Sequence, residues 1–351
     1  MRNRFPATQK VTIADVAARA GVSKGTVSKV LGGGEYYVAD ETRERISAAV
    51  AELDFRPNAI ARGLKRRRSQ TIGVIVASIA NPLYAELISG VEEALAGSEY
   101  TLIFGSSEGS AQKEMAVVRS MQQRQVDGIV MASVTLDDGE VEKQIEAGLN
   151  VVLASRNLAR VVADAVVSDN HAGATAAVEH LAEHGHKRIG HISGPQDVVP
   201  FAQRRAAYDE TLSRLSLETS DELCVIATAT SLEAGADAAI RLLDSHNPPT
   251  AVFVGSDGLA LGVLDACAKS GVRVPEDLAI VGFDNIWVGR MPGIGLSTVE
   301  TDARRIGRRA AERLIERIDE TFREGAWLHE PEVEVLPATL VARRTCGCPG
   351  D

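Results

Sequence analysis

Two hydrophobic periods divide the chain. Over residues 12–54, apolar side chains recur at helical spacing in short blocks; from Thr71 they gather into continuous runs separated by amphipathic stretches. In the first region, Ile13, Val16, Ala17 and Ala20 mark one helix face, preceded by Thr12 and Asp15 at capping-box spacing. Gly21-Val22 predicts a tight turn, and Ser23 can cap a second helix burying Val27, Val30 and Leu31. A third helix is expected from near Asp40, burying Ile46, Ala49, Val50 and Leu53. Arg56-Pro57-Asn58 breaks the pattern, and Asn58 can cap a short helix over 59–64 before the charged linker KRRRSQ. In the second region TIGVIVA, YTLIF, VDGIVMA, NVVLAS, RIGHI, TAVFVG and LAIVGF read as strands. Helical stretches at 82–96, 111–124, 170–184, 231–245 and 258–270 alternate with them. That alternation predicts parallel sheets covered by helices on both faces. Seven or more units exceed one small sheet, so two α/β lobes are expected, with a ligand cleft at the strand C-termini.

Charge sharpens this division. The net charge of −10 is unevenly spread: residues 1–70 hold 14 Lys and Arg against 7 Asp and Glu, and the rest of the chain is strongly acidic. A basic head on an acidic body is the electrostatic footprint of a nucleic-acid binder. No apolar run approaches a membrane span, and MRNRFPATQK lacks the apolar core of a signal peptide, so a cytoplasmic protein is expected. Cys224, Cys267, Cys346 and Cys348 form no disulfide framework.

The stretch DVAARAGVSKGTVSKVLGGG admits three readings: a phosphate loop, a plain helical hairpin, or a helix-turn-helix for the DNA groove. A phosphate loop fails because no Lys-Ser or Lys-Thr follows the glycines and no strand precedes them. A helix-turn-helix needs small residues where its helices cross, which Ala17, Ala20 and Gly21 supply. Lys24, Gly25, Ser28 and Lys29 then share the face opposite Val27, Val30 and Leu31, where they can meet base edges or phosphates.

On these residues the chain resembles the LacI/GalR family of transcriptional regulators. TIADVAARAGVSKGTVSKVL resembles the family's DNA-binding head and RPNAIARGL its hinge helix. TIGVIVASIANPLYAEL, DNHAGATAAVEHLAEHGHKRIGHISGP, VFVGSDGLALGVL, AIVGFDNI and LSTVETDARRIGRRA follow in the family's order, from about Val11 to Cys348. The resemblance implies an α/β protein: a three-helix helix-turn-helix head at 11–57, a hinge helix and linker at 58–70, and a two-lobed, periplasmic-binding-protein-like, doubly wound effector domain at 71–345. In it the N-lobe takes about 71–168 plus 300–330, and the C-lobe about 169–299 plus 331–345.

The resemblance places DNA contacts at Thr12, Ser23, Lys24, Gly25, Thr26, Ser28, Lys29, Asn58, Ala61, Leu64 and Lys65. Gly25 departs from the usual side-chain-bearing residue, and Lys29 replaces a common arginine and loses its fork. Leu64 matches the leucine that wedges into the minor groove and bends the duplex. So short a hinge helix cannot persist alone, because nucleation costs too much, so it is expected to form only against DNA and a partner copy. Effector contacts are implied at Leu83, Tyr84, Ser155, Arg156, Arg204, Ser256, Asp257, Asp284 and Trp287. Arginine, aspartate, serine and an aromatic suit a polyhydroxylated neutral ligand. Val198 and Pro200, where some members carry polar contacts, argue against a purine-like one.

His180-Leu-Ala-Glu183-His184 spells H-x-x-E-H, an inverted zinc-protease signature, but the same stretch reads as a family segment in which no metal is expected. Cys346-Gly-Cys348 is expected to be inert. The sequence is therefore read as a non-enzymatic, cofactor-free homodimer. It binds a palindromic double-stranded operator and a carbohydrate-like effector, probes no membrane, and represses. The competing class is a ligand sensor without DNA contact, from which residues 1–70 discriminate.

Overall fold

The computed structural model describes residues 11–31, 37–56, 68–135, 138–326 and 329–348. The chain forms two compact units, Met1–Ser69 and Gln70–Asp351.

In the first unit, α1 (Ile13–Ala20), α2 (Lys24–Leu31) and α3 (Asp40–Glu52) follow the expected faces. Val16, Ala17, Ala20, Val27, Ile46 and Ala49 form a buried cluster with Ile13, Val30, Leu31, Val50 and Leu53 packed around it. The Asp15 carboxylate reaches back to the Thr12 amide (2.8 Å) and hydroxyl (2.7 Å), and these hydrogen bonds hold its pKa below the usual carboxylate range. Gly21 ends α1 with φ of 65°, the left-handed conformation that glycine adopts without strain, and the Val22 amide closes the turn on the Ala17 carbonyl (3.0 Å). Ser23 Oγ accepts from the Thr26 amide (3.0 Å), starting α2. Arg19 pairs with Glu52 (2.6 Å) between α1 and α3. Asn58, Ala61, Leu64 and Lys65, and with them the expected hinge helix, lie outside the described residues.

The second unit alternates strand and helix: β1 (Thr71–Val76), α4 (Pro82–Leu95), β2 (Thr101–Ser106), α5 (Ala111–Gln123), β3 (Gly128–Ala132), α6 (Gly139–Glu146), β4 (Val151–Ala154) and β5 (Asp164–Ser168). It continues with α7 (Asn170–Glu183), β6 (Ile189–Ser193), α8 (Val199–Arg214), β7 (Cys224–Ile226), α9 (Leu232–Leu243), β8 (Ala251–Val254), α10 (Asp257–Ser270) and β9 (Ala279–Val281). Then come β10 (Thr298–Glu300), α11 (Ala303–Glu324), β11 (Val333–Leu336) and β12 (Thr339–Val341).

Two parallel sheets result, in the orders β11-β5-β4-β3-β1-β2 and β7-β6-β8-β9, with β10 and β12 as a separate antiparallel pair. β1, β3, β4 and β5 are buried almost throughout, as expected of strands covered on both faces, whereas edge strand β2 leaves Phe104 exposed. Helix α11 packs on α4 through two glycines. A Cβ on Gly307 would lie 2.0 Å from the Leu87 carbonyl oxygen, and one on Gly90 would lie 1.9 Å from that of Arg304.

One expected boundary is corrected. Residues 331–345 do not all join the second lobe, because β11 pairs with β5 at the edge of the first sheet. Its placement is fixed by polar contacts: Asp164 Oδ1 accepts from the Glu332 amide (2.9 Å), and the Arg309 fork grips Glu334 (2.9 and 3.0 Å). The chain returns to the second lobe only after Pro337, at β12. It thus passes between the lobes after β5, after β10 and after β11. The crossings are tied together where the Asp169 amide donates to the Leu336 carbonyl (2.8 Å) and Ser168 Oγ to the Thr301 carbonyl (3.3 Å). No helix among the described residues is long and apolar enough to cross a membrane.

Candidate functional site

The exposed face of α2 carries the residues singled out for DNA. Ser23, Lys24, Gly25 and Lys29 are exposed, Thr26 and Ser28 are half-buried, and Val27 between them is fully buried in the three-helix core. The hydroxyls of Ser23 and Thr26 share a hydrogen bond (2.9 Å), so both are oriented at the helix start. Thr12 is exposed at the start of α1. Gly25 has a negative φ, and a Cβ there would meet only Ser23 Oγ at 3.5 Å, an ordinary contact. Its lack of a side chain is therefore not demanded by packing.

In the second unit, the effector candidates collect at strand C-termini, where open parallel sheets bind ligands. Leu83 and Tyr84 begin α4 after β1, capped by Asn81, which accepts from the Leu83 amide (3.0 Å). Both are buried in a first-lobe cluster that also takes in Ile286 of the second lobe. Ser155 and Arg156 follow β4, with Ser155 at φ of 62°. Arg156 is buried, and its Nη1 donates to the Ser133 carbonyl (3.2 Å) at the end of β3.

Arg204 projects from α8 and is 5 % exposed. Its Nε donates to Asn170 Oδ1 (3.0 Å), its Nη1 to the Gly255 carbonyl (2.6 Å), and its guanidinium lies 3.6 Å above the Phe283 ring centroid. Burial lowers its pKa to about 10, while Asp284, Asp257 and Tyr84 oppose that loss; the field of Arg156 adds to it. Arg204, Asp284, Tyr84 and Arg156 are thus within one electrostatic environment, with donors from both lobes.

Asp284 sits at φ of 121° and Asn285 at 58°, a pair of left-handed, non-glycine residues in the turn that follows β9 after Gly282 and Phe283. Strain of this kind persists where the surroundings enforce it, and functional sites are where it concentrates. Burial raises the Asp284 carboxyl to about 6 against the opposing field of Arg204.

Ser256 and Asp257 serve the frame. Ser256 caps α10 through the Leu259 amide (3.4 Å). Asp257 is fully buried, with Oδ1 accepting from Thr298 Oγ1 (2.6 Å) and Oδ2 from the Ile286 amide (2.9 Å). Those bonds pin the turn that carries Asp284. Burial, followed by the neighbouring Asp284 charge, raises Asp257 to about 8. Trp287 opens a short helical turn, Trp287–Arg290, and is half-exposed.

Sequence reasoning misses several partners. Asn170 orients Arg204 and also donates to Gln203 Oε1 (2.9 Å). Phe283 supplies the face beneath Arg204, and its place beside Asp284 in GFDN is the only signal that could have found it. Glu114 is buried against Ser133 and Asp138, and desolvation followed by the Asp138 hydrogen bond raises it to about 8. A separate surface groove of about 390 Å³, lined in part by Asp164, Arg313, Glu316 and Glu332, lies at the opposite, N-terminal edge of the first sheet.

With this geometry in place, comparison with known proteins is direct. Residues 12–58 match the bacterial regulatory proteins of the lacI family, and residues 178–346 match a periplasmic binding protein-like domain. The chain is 36 % identical to Catabolite control protein A of Priestia megaterium over 290 residues, 82 % of this chain and 87 % of that protein. It superposes on the transcriptional regulator CelR in complex with cellobiose with a TM-score of 0.72, at 31 % identity over 95 % of this chain and 99 % of that one. On the Lac repressor dimer bound to operator and the anti-inducer ONPF the TM-score is 0.82, at 25 % identity over 96 % and 99 %. Head, body and their order along the chain agree throughout: the chain belongs to the LacI family of bacterial DNA-binding transcriptional regulators.

Proposed function

We propose that this regulator is a repressor that binds a palindromic operator as a homodimer, with operator affinity set by a neutral polyhydroxylated effector, a sugar or sugar derivative, held between the lobes. The observation that carries the reading is the buried Arg204–Asp284 pair, 3.9 Å apart, with Tyr84 and Arg156 near enough for their charges to bear on the arginine. A buried, pre-oriented guanidinium donates to hydroxyl oxygens, a carboxylate accepts from hydroxyl hydrogens, and tyrosine packs on an apolar sugar face. The CelR–cellobiose complex supports this chemistry by likeness.

In the head, Lys24, Gly25 and Lys29 face the major groove, Thr26 and Ser28 contact phosphate or base, Leu64 wedges into the minor groove beside Ala61, and Thr12, Ser23, Asn58 and Lys65 complete the DNA contacts. A two-fold dimer places two such heads on two half-sites. Effector binding between the lobes changes their relative rotation at the three crossings. Because only a ligand with different affinity for the two arrangements can shift them, the effector and the operator are thermodynamically linked.

A thermal-shift screen of sugars and sugar phosphates, followed by operator gel shifts with each hit, tests the reading. A hit that stabilises the wild type but not Arg204→Ala, and that changes operator affinity, supports it. A screen in which every stabilising ligand binds Arg204→Ala equally well removes the assigned site. Leu64→Ala is expected to weaken operator binding and spare effector binding; unchanged operator affinity removes the wedge.

A further inference from the structure

Two motifs far apart in sequence, and unused by the regulator's two binding sites, meet in the second lobe. His180 and His184 stand one turn apart near the end of α7, and Cys346-Gly347-Cys348 closes the described chain. His180 Nε2 lies 3.2 Å from Cys346 Sγ and 3.8 Å from Cys348 Sγ, and the three ligand atoms fall within 4.8 Å of one another. His184 Nε2 lies 3.3 Å from Cys348 Sγ.

We propose that His180, Cys346 and Cys348, completed by His184, form a structural zinc site that fastens the C-terminal segment to α7. Tetrahedral zinc with bonds of about 2.3 Å to sulfur and 2.0–2.1 Å to nitrogen sets nitrogen–sulfur separations of about 3.6 Å, which the three contacts bracket. The chain geometry favours it at both motifs. Histidines at i and i+4 share a helix face. Gly347, at φ of 91°, reverses the backbone between the two cysteines. His184 Nδ1 donates to the His180 carbonyl (2.8 Å), which leaves Nε2 with its lone pair toward the cluster, the tautomer a zinc ligand needs. His184 Nε2, already 3.3 Å from Cys348 Sγ, reaches the metal by a small shift that keeps the hydrogen bond to the His180 carbonyl. Thiolate and imidazole donors select zinc over hard cations.

A site with four protein ligands has no open position for water, so it braces the fold and performs no hydrolysis. Glu183 of the H-x-x-E-H pattern is exposed. The other two nearby histidines are engaged elsewhere: His186 with Thr250 Oγ1 (2.8 Å), and His191 stacked between Tyr208 and Phe253. What the zinc braces is visible in the residue just before Cys346. Thr345 Oγ1 accepts from the Ser297 amide (2.8 Å) and donates to the Ile280 carbonyl (2.8 Å), so the clamp holds the final turn on the edge of the second sheet.

The test uses the full-length chain, tag removed, purified under reducing conditions from zinc-supplemented medium. Elemental analysis is expected to find one zinc per chain, and chelation to lower the thermal midpoint by several degrees. Cobalt(II) added to the stripped protein is expected to give thiolate-to-cobalt charge-transfer and tetrahedral visible bands. Cys348→Ser, at a half-buried edge, and His184→Ala, at an exposed one, keep the fold by circular dichroism while weakening cobalt binding at least tenfold. Metal-free protein without a cobalt–thiolate band, zinc retained undiminished by Cys348→Ser, or a Cys346–Cys348 disulfide in freshly reduced preparations would each overturn the assignment.

Discussion

The Arg204 guanidinium and the Asp284 carboxylate stand 3.9 Å apart, each less than a tenth exposed, with the Phe283 ring beneath the cation. Asn170 and the Gly255 carbonyl hold the arginine, and Asp257 holds the turn bearing Asp284 through the Ile286 amide. The pair is therefore held in place by the protein's own groups. Pre-organisation of this kind lowers the ordering cost of binding.

If Asp284 accepts effector hydroxyls as proposed, effector binding is expected to depend on pH. Its carboxyl titrates near 6, so the hydroxyl-accepting carboxylate dominates above that pH and is lost below it. Once the pH is below that value, affinity is expected to fall by about tenfold per unit, the limit for one required deprotonation. Calorimetry of wild type and Asp284→Asn between pH 5 and 7.5 checks this. The variant is expected to bind weakly with a flat profile, and a parallel pH dependence in both would assign the titration elsewhere.

Stability carries the opposite dependence on alkali. Asp257, at about 8, and Glu114, also at about 8, bind protons in the folded state that the unfolded chain has already released. Stability is therefore present at lower pH and declines as pH rises toward 8. His191, held to about 3 by burial, contributes in the other direction only below about 6.5, so the window from pH 6.5 to 8 isolates the carboxyls. Thermal midpoints are expected to fall across that window, and less steeply in Asp257→Asn.

Gly25 is a place where the proposed reading face can be changed without harm to the head. A methyl there meets no backbone, and replacing a glycine in the first turn of α2 with alanine stabilises by about 0.4–1 kcal/mol. Gly25→Ala is expected to raise the head's thermal stability and leave operator affinity within a few-fold. Gly25→Thr is expected to alter sequence preference in a binding-site selection.

Gly307 permits no such change. Its α-carbon faces the Leu87 backbone across the α4–α11 contact, so an added Cβ forces the helices apart. Gly307→Ala is expected to cost at least about 1–3 kcal/mol. Chemical denaturation followed by tryptophan fluorescence checks it, and a midpoint equal to wild type would refute the close-packing account.

The helices of the head were legible because each shows its apolar face at one period, and the buried cluster from Val16 to Ala49 repeats that pattern. The central strands were legible because parallel strands are apolar throughout. Edge strand β11 was not: Val333 and Val335 face solvent, and Glu334 is held by Arg309, so the segment lacks the signature of its buried neighbours. In the site, Arg204, Asp284, Arg156 and Tyr84 could be named from their motifs, but their supports could not. Asn170 lies 34 residues from Arg204, and His180 lies 166 from Cys346; no local pattern encodes such pairings.

The central claim, that the cleft governs the grip of the head on DNA, is tested most directly by titrating a fluorescent operator, recovered by selection from genomic fragments, with full-length protein at zero and saturating effector. A change in operator affinity of at least about fivefold, corresponding to about 1 kcal/mol of coupling, is predicted, and Arg204→Ala is predicted to abolish it. Binding curves that coincide with and without an effector known to occupy the wild-type protein would contradict the account.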